Sequence, residues 1–446
     1  MSSHNESPLN KGSGLPVDLH DGKLTRTLLS SRPPVGFWQY ALIIWAALGP
    51  GVLAIIGDND AGGDIAYAVT GVRFGISGFI PLILCLGIVT YTVQEMSMRL
   101  SAASATGFAQ LIFSHWGRWW GYYHIVTLFL ENLVTLLTEF IGMTAGLMMT
   151  GLSLPASDAI ALGLVLALLL VSGYKTKERL VLILGFINFV FLGIAYVTHP
   201  DLGAIARVLA TWRMPPMTPL AVIAWYVIAA VGNSLAPWMV FFQGDATLDK
   251  GVTPGEIRMG RVDTAVGTVT QIIVAAAIIV IGASLYGHMS HIESAGPTQL
   301  IAAIARRFGL WPAYLFGFGL FDAGLLAAIT ISLSSSWTIA GALKWNHSLN
   351  APFFRAPKFY SIYIGSLMVA AGLLLVPRLP LDFLSVLAQV VGGVLMAPVL
   401  IFLVILTSDA GLMGPHRNGK WARRWSWVIV SLLIAMALLT LWNVLI

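Results

Sequence analysis

The sequence has 446 residues, of which 57% are hydrophobic and only 10% are charged. An ordinary soluble domain is about a quarter charged, so this chain lacks the polar side chains that would keep a large surface hydrated. Together with a mean hydropathy of +0.82, this indicates a polytopic membrane protein and excludes most classes of soluble enzyme. The basic residues behind the net charge of +5 are scattered singly between apolar runs, so we expect no nucleic-acid partner.

Apolar runs of about 20 residues, the length a helix needs to cross a bilayer, predict the transmembrane elements. The eleven predicted spans cover residues 38–72, 77–97, 121–149, 154–173, 179–198, 219–243, 262–288, 311–342, 359–376, 381–407 and 425–445. Residues 1–36 are polar and contain proline and glycine, so we expect a disordered cytoplasmic tail there. Residues 37–446 then form one transmembrane domain.

Two of these spans contain residues that break helices. The first carries Gly-Asp-Asn-Asp-Ala-Gly-Gly at 57–63, and the sixth carries Gly-Asn-Ser-Leu-Ala-Pro-Trp at 232–238. Glycine lowers helix propensity, and proline removes a helical hydrogen bond. Corresponding breaks in two halves of a membrane protein are typical of inverted-repeat transporters. We therefore predict an all-α integral membrane protein with a 5+5 inverted repeat (37–199 and 219–407) and an additional helix at 425–445.

The distribution of basic residues predicts the orientation of the spans. If the N-terminal tail is cytoplasmic, 19 of the 25 Lys and Arg residues fall on the cytoplasmic side. Cytoplasmic connections carry an excess of Lys and Arg. We therefore expect a multi-pass plasma-membrane protein with its N terminus in the cytoplasm and, after eleven crossings, its C terminus outside.

The polar residues in the first span predict a cation site. Asp58, Asn59 and Asp60 lie in an otherwise apolar run and are followed by glycine. Such side chains are costly within a bilayer unless they are paired or hydrated, and an unwound backbone leaves carbonyl groups without helical partners. Carboxylate, amide and carbonyl oxygens are the preferred ligands of hard divalent cations. A polar loop that caps a helix at the membrane surface remains the alternative.

Four further polar groups lie within other spans. The sixth-span break offers Asn233 and freed carbonyl groups, although it would also fit a plain bend. Gln389 lies in an apolar run and would face either an ion or a neighbouring helix. Glu131 and Glu139 fall on roughly one face of the third span, where they form either a polar track or a structural pair.

The sequence offers little to support a catalytic function. It contains no histidine and cysteine spacing of the zinc-site type, no evident catalytic triad and no phosphate-binding glycine loop. We therefore expect a protein that is not an enzyme and has no cofactor.

At these residues the chain resembles the NRAMP family of divalent metal transporters, whose fold is LeuT-like. The resemblance runs over about 49–409. Most members read Asp-Pro-Gly-Asn in the first span, where Asp60 and Gly62 match. Glu139 matches the glutamate of a third-span Asp-x-x-Glu motif, and Gln389 matches a glutamine of the tenth span.

The departures from the family pattern point to one branch of the family. Ala61 and Gly63 stand where most members have proline and asparagine, and Ala-Pro-Trp at 236–238 replaces Met-Pro-His. Gln243 replaces a second histidine, and Leu136 replaces the third-span aspartate. This pattern resembles the branch called NRAMP-related magnesium transporters.

The replaced ligands favour a harder ion. Methionine sulfur favours soft ions, so Ala236 in its place removes that preference and opens space. Gly63 in place of asparagine is expected to remove a ligand and to open more space. A wide site of oxygen ligands suits Mg²⁺, which usually keeps several waters, and would also admit Mn²⁺.

The resemblance and the residues together give the expected site and activity. The expected ion ligands are Asp60, Ala61, Gly63, Asn233, Ala236 and Gln389, and the expected outer-shell or pathway residues are Asp58, Asn59, Glu131 and Glu139. We expect import of Mg²⁺ or Mn²⁺ by alternating access, without proton coupling because Leu136 and Trp238 cannot titrate. The expected partners are the ion and the lipid bilayer, and no protein partner is implied.

Two alternatives stay open at this point. The nearer is a proton-coupled Mn²⁺/Fe²⁺ importer of the main family, in which Glu131 would serve as a substitute proton carrier. The more distant is a LeuT-fold amino-acid or sodium symporter, although Asp58 and Asp60 would repel a carboxylate substrate.

Overall fold

A computed structural model describes residues 49, 52, 57, 59–170, 174–216, 218–289, 296–349 and 351–445 of the chain. The predicted tail at 1–36, most of the first half of the first span, and Asp58 lie outside the described residues. The part of the chain from Gly49 onward forms one unit.

The described residues form α-helices with a few short 3₁₀ turns and contain no β-strand. In chain order the α-helices are α1 (Ala61–Phe74), α2 (Phe79–Ser104), α3 (Phe108–Trp116), α4 (Arg118–Met148), α5 (Leu154–Leu170), α6 (Tyr174–Ile187), α7 (Val190–Val197), α8 (Leu202–Thr211), α9 (Leu220–Ser234), α10 (Pro237–Asp249), α11 (Ile257–Ser284), α12 (Pro297–Phe308), α13 (Leu310–Ala342), α14 (Pro357–Leu374), α15 (Leu381–Ser408), α16 (Ala410–Met413) and α17 (Lys420–Leu445).

These helices agree with the predicted all-helical membrane architecture. Within the described ranges, nine helical segments are long and apolar enough to cross a membrane. They correspond to the second, third and fifth to eleventh predicted spans. The shorter apolar helix α5 lies at the fourth predicted span, and α1 forms the second half of the first.

The predicted breaks are present in the first and sixth spans. In the first, Val52 is helical, Asn59 and Asp60 are not, and α1 begins at Ala61. In the sixth, α9 ends at Ser234 and α10 begins at Pro237. Proline suits the first position of a helix because its missing N–H would have no helical partner there.

The fifth span is also divided, which the sequence analysis does not predict. Between α6 and α7, Asn188 and Phe189 form a turn, and the amide of Phe191 donates to the carbonyl of Asn188 at 3.2 Å. This three-residue spacing is tighter than that of an α-helix. The run carries no proline, so the hydropathy of the span gives no sign of the turn.

Three short helices, α3, α8 and α12, lie on connections between spans and are likewise absent from the predictions. In α12, Leu300, Ile301 and Ile304 are buried, whereas Arg306 and Arg307 end the helix. Such helices are apolar on one face and too short to span a bilayer. A search for long apolar runs therefore passes over them.

Small residues set the distance between α1 and α11. A Cβ added to Gly71 would lie 2.2 Å from the carbonyl oxygen of Ile279, and one added to Gly282 would lie 2.0 Å from that of Ala68. Both distances are far inside van der Waals contact, so the crossing requires glycine on each helix. Small residues allow such close approach of membrane helices.

A charged cluster joins α2 to α11 and to the segment after α15. Glu95 accepts from Arg99 and from Arg261, each at 2.8 Å, and Arg99 also donates to the side chain of Asn418 at 2.7 Å. Nearby on α11, Asp263 accepts from the amides of Gly49, at 2.7 Å, and of Val52. The start of α11 is thus bonded both to α2 and to the first half of the first span.

Candidate functional site

The break in the first span ends in a capped helix. Asp60 has an extended backbone, and its side chain accepts from the amide of Gly63 at 2.5 Å, while its carbonyl accepts from the amide of Asp64 at 2.8 Å. Aspartate is a favoured residue at this position because it satisfies an otherwise unpaired amide. Asp60 is 1% exposed, so this cap lies in the protein interior and not in a loop at the surface.

The break in the sixth span is bonded to three other helices. The carbonyl of Ser234 accepts from the hydroxyl of Thr90 on α2 at 2.7 Å and from the side-chain Nε2 of Gln271 on α11 at 3.3 Å. The Ser234 hydroxyl lies 2.8 Å from that of Tyr67 on α1. At least one of the carbonyl groups freed by the break therefore already has protein partners.

Side chains from α9 and α15 meet at Asp60. The Asn233 Nδ2 donates to the carbonyl of Gly63 at 2.9 Å. The Gln389 Nε2 lies 3.5 Å from Asp60 Oδ1, at the limit of a hydrogen bond. Both side chains are buried. The fold thus brings together three residues that are far apart in the chain.

Glu139 completes the start of α1. Its Oε2 accepts from the amide of Ala61 at 2.8 Å, and its Oε1 accepts from the Thr138 hydroxyl at 3.2 Å. Two carboxylates therefore satisfy two amides of the first turn of α1, because Asp60 binds that of Gly63. This arrangement gives Glu139 a direct role in shaping the break.

The expectation that Gly63 opens space is wrong. A Cβ added to Gly63 would lie 1.6 Å from Asn233 Oδ1 and 2.5 Å from Asn233 Cγ. The carboxamide of α9 occupies the volume that a side chain on α1 would need. This contact joins residues 170 positions apart in the chain, so the residue type at position 63 does not by itself reveal it.

The other site candidates lie at different distances from the break. Ala236 is buried beside α10, and the Asn59 amide is buried with no hydrogen-bond partner among the described residues. Glu131 is buried on α4, and its Oε1 accepts from the Thr135 hydroxyl at 3.2 Å. The two glutamates predicted to share a face of α4 therefore have separate partners.

Two residues near the site, Thr138 and Asp64, were not proposed as site residues from the sequence. A Cβ on Gly62 would lie 2.1 Å from the Thr138 hydroxyl, which therefore packs directly against the break. Asp64, one turn beyond Asp60, is fully buried, and neither of its carboxylate oxygens has a hydrogen-bond partner among the described residues. Its spacing of four residues from Asp60 is the signal that would have indicated it.

These features define a class of protein. Two interrupted helices meet within a bundle of membrane spans, and buried acidic and amide side chains converge where their backbones are unwound. Irregular backbone at membrane depth occurs where it is enclosed by protein or lines a cavity, and paired broken helices are typical of secondary transporters. The fold and site are those of a membrane transporter and not of an enzyme.

The chain belongs to the Natural resistance-associated macrophage protein-like (Nramp) family, which it matches over residues 51–443. It is 24% identical to the divalent metal cation transporter MntH of Klebsiella pneumoniae (strain 342) over 404 residues, 88% of this chain and 92% of that protein.

Solved structures agree with this assignment at the level of the fold. The Eremococcus coleocola manganese transporter superposes with a TM-score of 0.76 at 20% identity, covering 92% of this chain and 88% of that one. MhsT in complex with L-phenylalanine gives a TM-score of 0.52 at 13% identity, covering 88% and 98%. The predicted LeuT-like fold is confirmed.

Proposed function

We propose that this protein transports divalent metal ions, Mg²⁺ and Mn²⁺ in particular, by alternating access. The observation that carries the proposal is the buried Asp60 carboxylate at the break of the first span, facing Asn233 and Gln389. A buried carboxylate in a membrane protein needs a compensating charge. A divalent cation supplies that charge and suits the amide oxygen of Asn233 beside it.

The donor set favours a hard ion. The residues at the sixth-span break contribute oxygen and backbone groups, while Ala236 and Trp238 supply neither sulfur nor imidazole. Oxygen ligands suit Mg²⁺ and Mn²⁺, whereas softer ions gain more from sulfur. This preference, with the two substituted motifs, supports membership of the branch of NRAMP-related magnesium transporters.

We further propose that transport is downhill and independent of protons. Leu136 on α4 and Trp238 at the start of α10 are both fully buried, and neither can carry a proton. Glu131 is the residue that would replace them in a proton-coupled mechanism, and its side chain already accepts from the Thr135 hydroxyl at 3.2 Å. A membrane potential of 100 mV supplies about 2.3 kcal/mol per charge, and so roughly twice that for a divalent ion.

The domain boundaries and orientation form part of the same proposal. Residues 37–199 and 219–407 act as the two repeats, with the last span appended and the N terminus in the cytoplasm. Import is then movement toward the side that carries most of the basic residues.

Uptake into proteoliposomes tests the function. The purified protein should carry Mg²⁺ and Mn²⁺ into vesicles, and Asp60→Asn should lower the rate by about tenfold or more, since even groups outside the first coordination shell affect metal affinity by 10–100-fold. Asparagine retains the helix cap, so the loss reports on charge. Asp201→Asn is the matched control, because Asp201 caps α8 in the same way but is exposed. Unchanged flux in Asp60→Asn would exclude this site.

A dye that reports interior pH tests the coupling. Metal uptake with no change of interior pH supports the downhill mechanism. Acidification that follows the metal and disappears in Glu131→Gln would instead support the proton-coupled Mn²⁺/Fe²⁺ importer.

A further inference from the structure

The side chain of Asn233 fills the place of the side chain that Gly63 lacks. The Asn233 Oδ1 lies 1.6 Å from the position of an added Cβ on Gly63, and Asp60 Oδ1 lies 2.7 Å from that same position. Two atoms at these distances from one point are at most about 4.3 Å apart. The first turn of α1 therefore has room for one carboxamide, which comes from α9.

The two ends of this carboxamide differ in their surroundings. The Nδ2 donates to the Gly63 carbonyl at 2.9 Å and bonds α9 to α1. The Oδ1 is buried and has no hydrogen-bond partner among the described residues. A buried acceptor without a donor is costly, so a ligand bound to this oxygen would be stabilising.

The pairing of this oxygen with Asp60 indicates what kind of ligand that is. Both atoms are acceptors when Asp60 is ionised, and acceptors repel each other unless a donor or a cation lies between them. Oxygens bound to one Mg²⁺ or Ca²⁺ lie about 2.0–2.6 Å from the metal. The Asn233 and Asp60 oxygens are at most about 4.3 Å apart, so one ion at these metal–oxygen distances can contact both.

We propose that Gly63 and Asn233 form a single carboxamide slot, in which the Asn233 Oδ1 and Asp60 Oδ1 bind the same divalent cation. This inference rests on the proposed function and deepens it in two ways. Glycine at 63 is required because any side chain there would displace the amide. The ion is held by both broken spans at once, since Asn233 bonds to α1 through one atom and to the ion through the other.

A double-mutant cycle tests the slot. Gly63→Asn alone places two carboxamides in one volume and should lower both the thermal midpoint of the metal-free protein and Mn²⁺ binding. Asn233→Ala alone should weaken Mn²⁺ binding by about tenfold while the fold is retained. The combined variant supplies one carboxamide from α1, so its midpoint and affinity should exceed those of Gly63→Asn, with affinity within about threefold of the original.

The readouts separate this inference from the proposed function. Mn²⁺ binding is measured by calorimetry on purified protein, and the metal-free midpoint reports on packing independently of transport. Gly372→Asn is the control, because an added Cβ on Gly372 meets no atom within 4 Å. Additive effects of the two substitutions on the midpoint and on Mn²⁺ affinity would overturn the slot, even when Asp60→Asn abolishes binding. Binding that survives Asp60→Asn would overturn the proposed function as well.

Discussion

Gly232 and Gln389 are in contact through their backbones: a Cβ added to Gly232 would lie only 1.8 Å from the Gln389 carbonyl oxygen. The last turn of α9 therefore packs directly against α15. This contact fixes Gln389 at the depth where its side chain reaches Asp60. The position of one site residue thus depends on a glycine that contributes no ligand.

Gly232→Ala should separate α9 from α15 and weaken metal uptake. A methyl group cannot fit against this backbone oxygen, so the helices must move apart, and overpacking of this kind costs about 1–3 kcal/mol. The uptake rate and the thermal midpoint should both fall. Gly193→Ala on α7 is the control, because an added Cβ there meets nothing within 4 Å. Equal behaviour of the two variants would contradict a packing role for Gly232.

Glu139 should prove replaceable by glutamine but not by alanine. The Ala61 amide needs an acceptor, which the glutamine side chain still supplies, whereas alanine leaves the amide unpaired at a cost of about 1–3 kcal/mol. Thermal unfolding and Mn²⁺ uptake should therefore change little in Glu139→Gln and fall in Glu139→Ala. If glutamine impaired uptake as strongly as alanine, the charge of Glu139 and not its hydrogen bond would be what matters.

Ala236→Met should shift the ion preference toward softer metals. The residue is buried at the N-terminal end of α10, and a thioether there offers a ligand that binds Cd²⁺ better than Mg²⁺. The measurement is competition of Cd²⁺ against Mg²⁺ and Mn²⁺ for uptake. Ala236→Leu supplies similar bulk without sulfur and is the control. A gain for Cd²⁺ in both variants would attribute the effect to size.

Asp263→Ala should loosen the backbone at Gly49 and Val52 in the first span. Asp263 binds the amides of Gly49 and Val52, and removing the acceptor leaves both without this partner. The expected loss of stability is about 1–3 kcal/mol. Asp263→Asn should retain most of the original stability, because its amide oxygen still accepts a hydrogen bond. Hydrogen exchange at the amides of Gly49 and Val52 measures the change. Exchange that stays slow in Asp263→Ala would show that other contacts hold this segment.

Much of the fold follows from the sequence because the bilayer imposes it. Apolar length predicts the spans, and glycine and proline within two of them predict the breaks. The turn at Asn188 and the helices on the connections escape the same reasoning, since neither changes the average hydropathy of a span. Their positions depend on what they pack against.

The sequence predicts several residues of the site, but only some of the contacts between them. Asp60, Asn233 and Gln389 are indicated by polarity within apolar runs, and the fold does bring them together. The space expected at Gly63 is filled, and Thr138 at the break was not foreseen. Each of these outcomes depends on contacts between helices.

Composition and residue order alone are enough to establish a helical membrane protein with two interrupted spans and an acidic residue in one of them. Hydropathy and helix-breaking residues act locally, so they can be read along the chain. Packing between helices is what brings the carboxamide of Asn233 into the place beside Gly63 and the carboxylate of Glu139 to the amide of Ala61. The first contact joins residues that are 170 positions apart in the chain, and the second joins residues that are 78 positions apart. Both contacts depend on the close packing of helices.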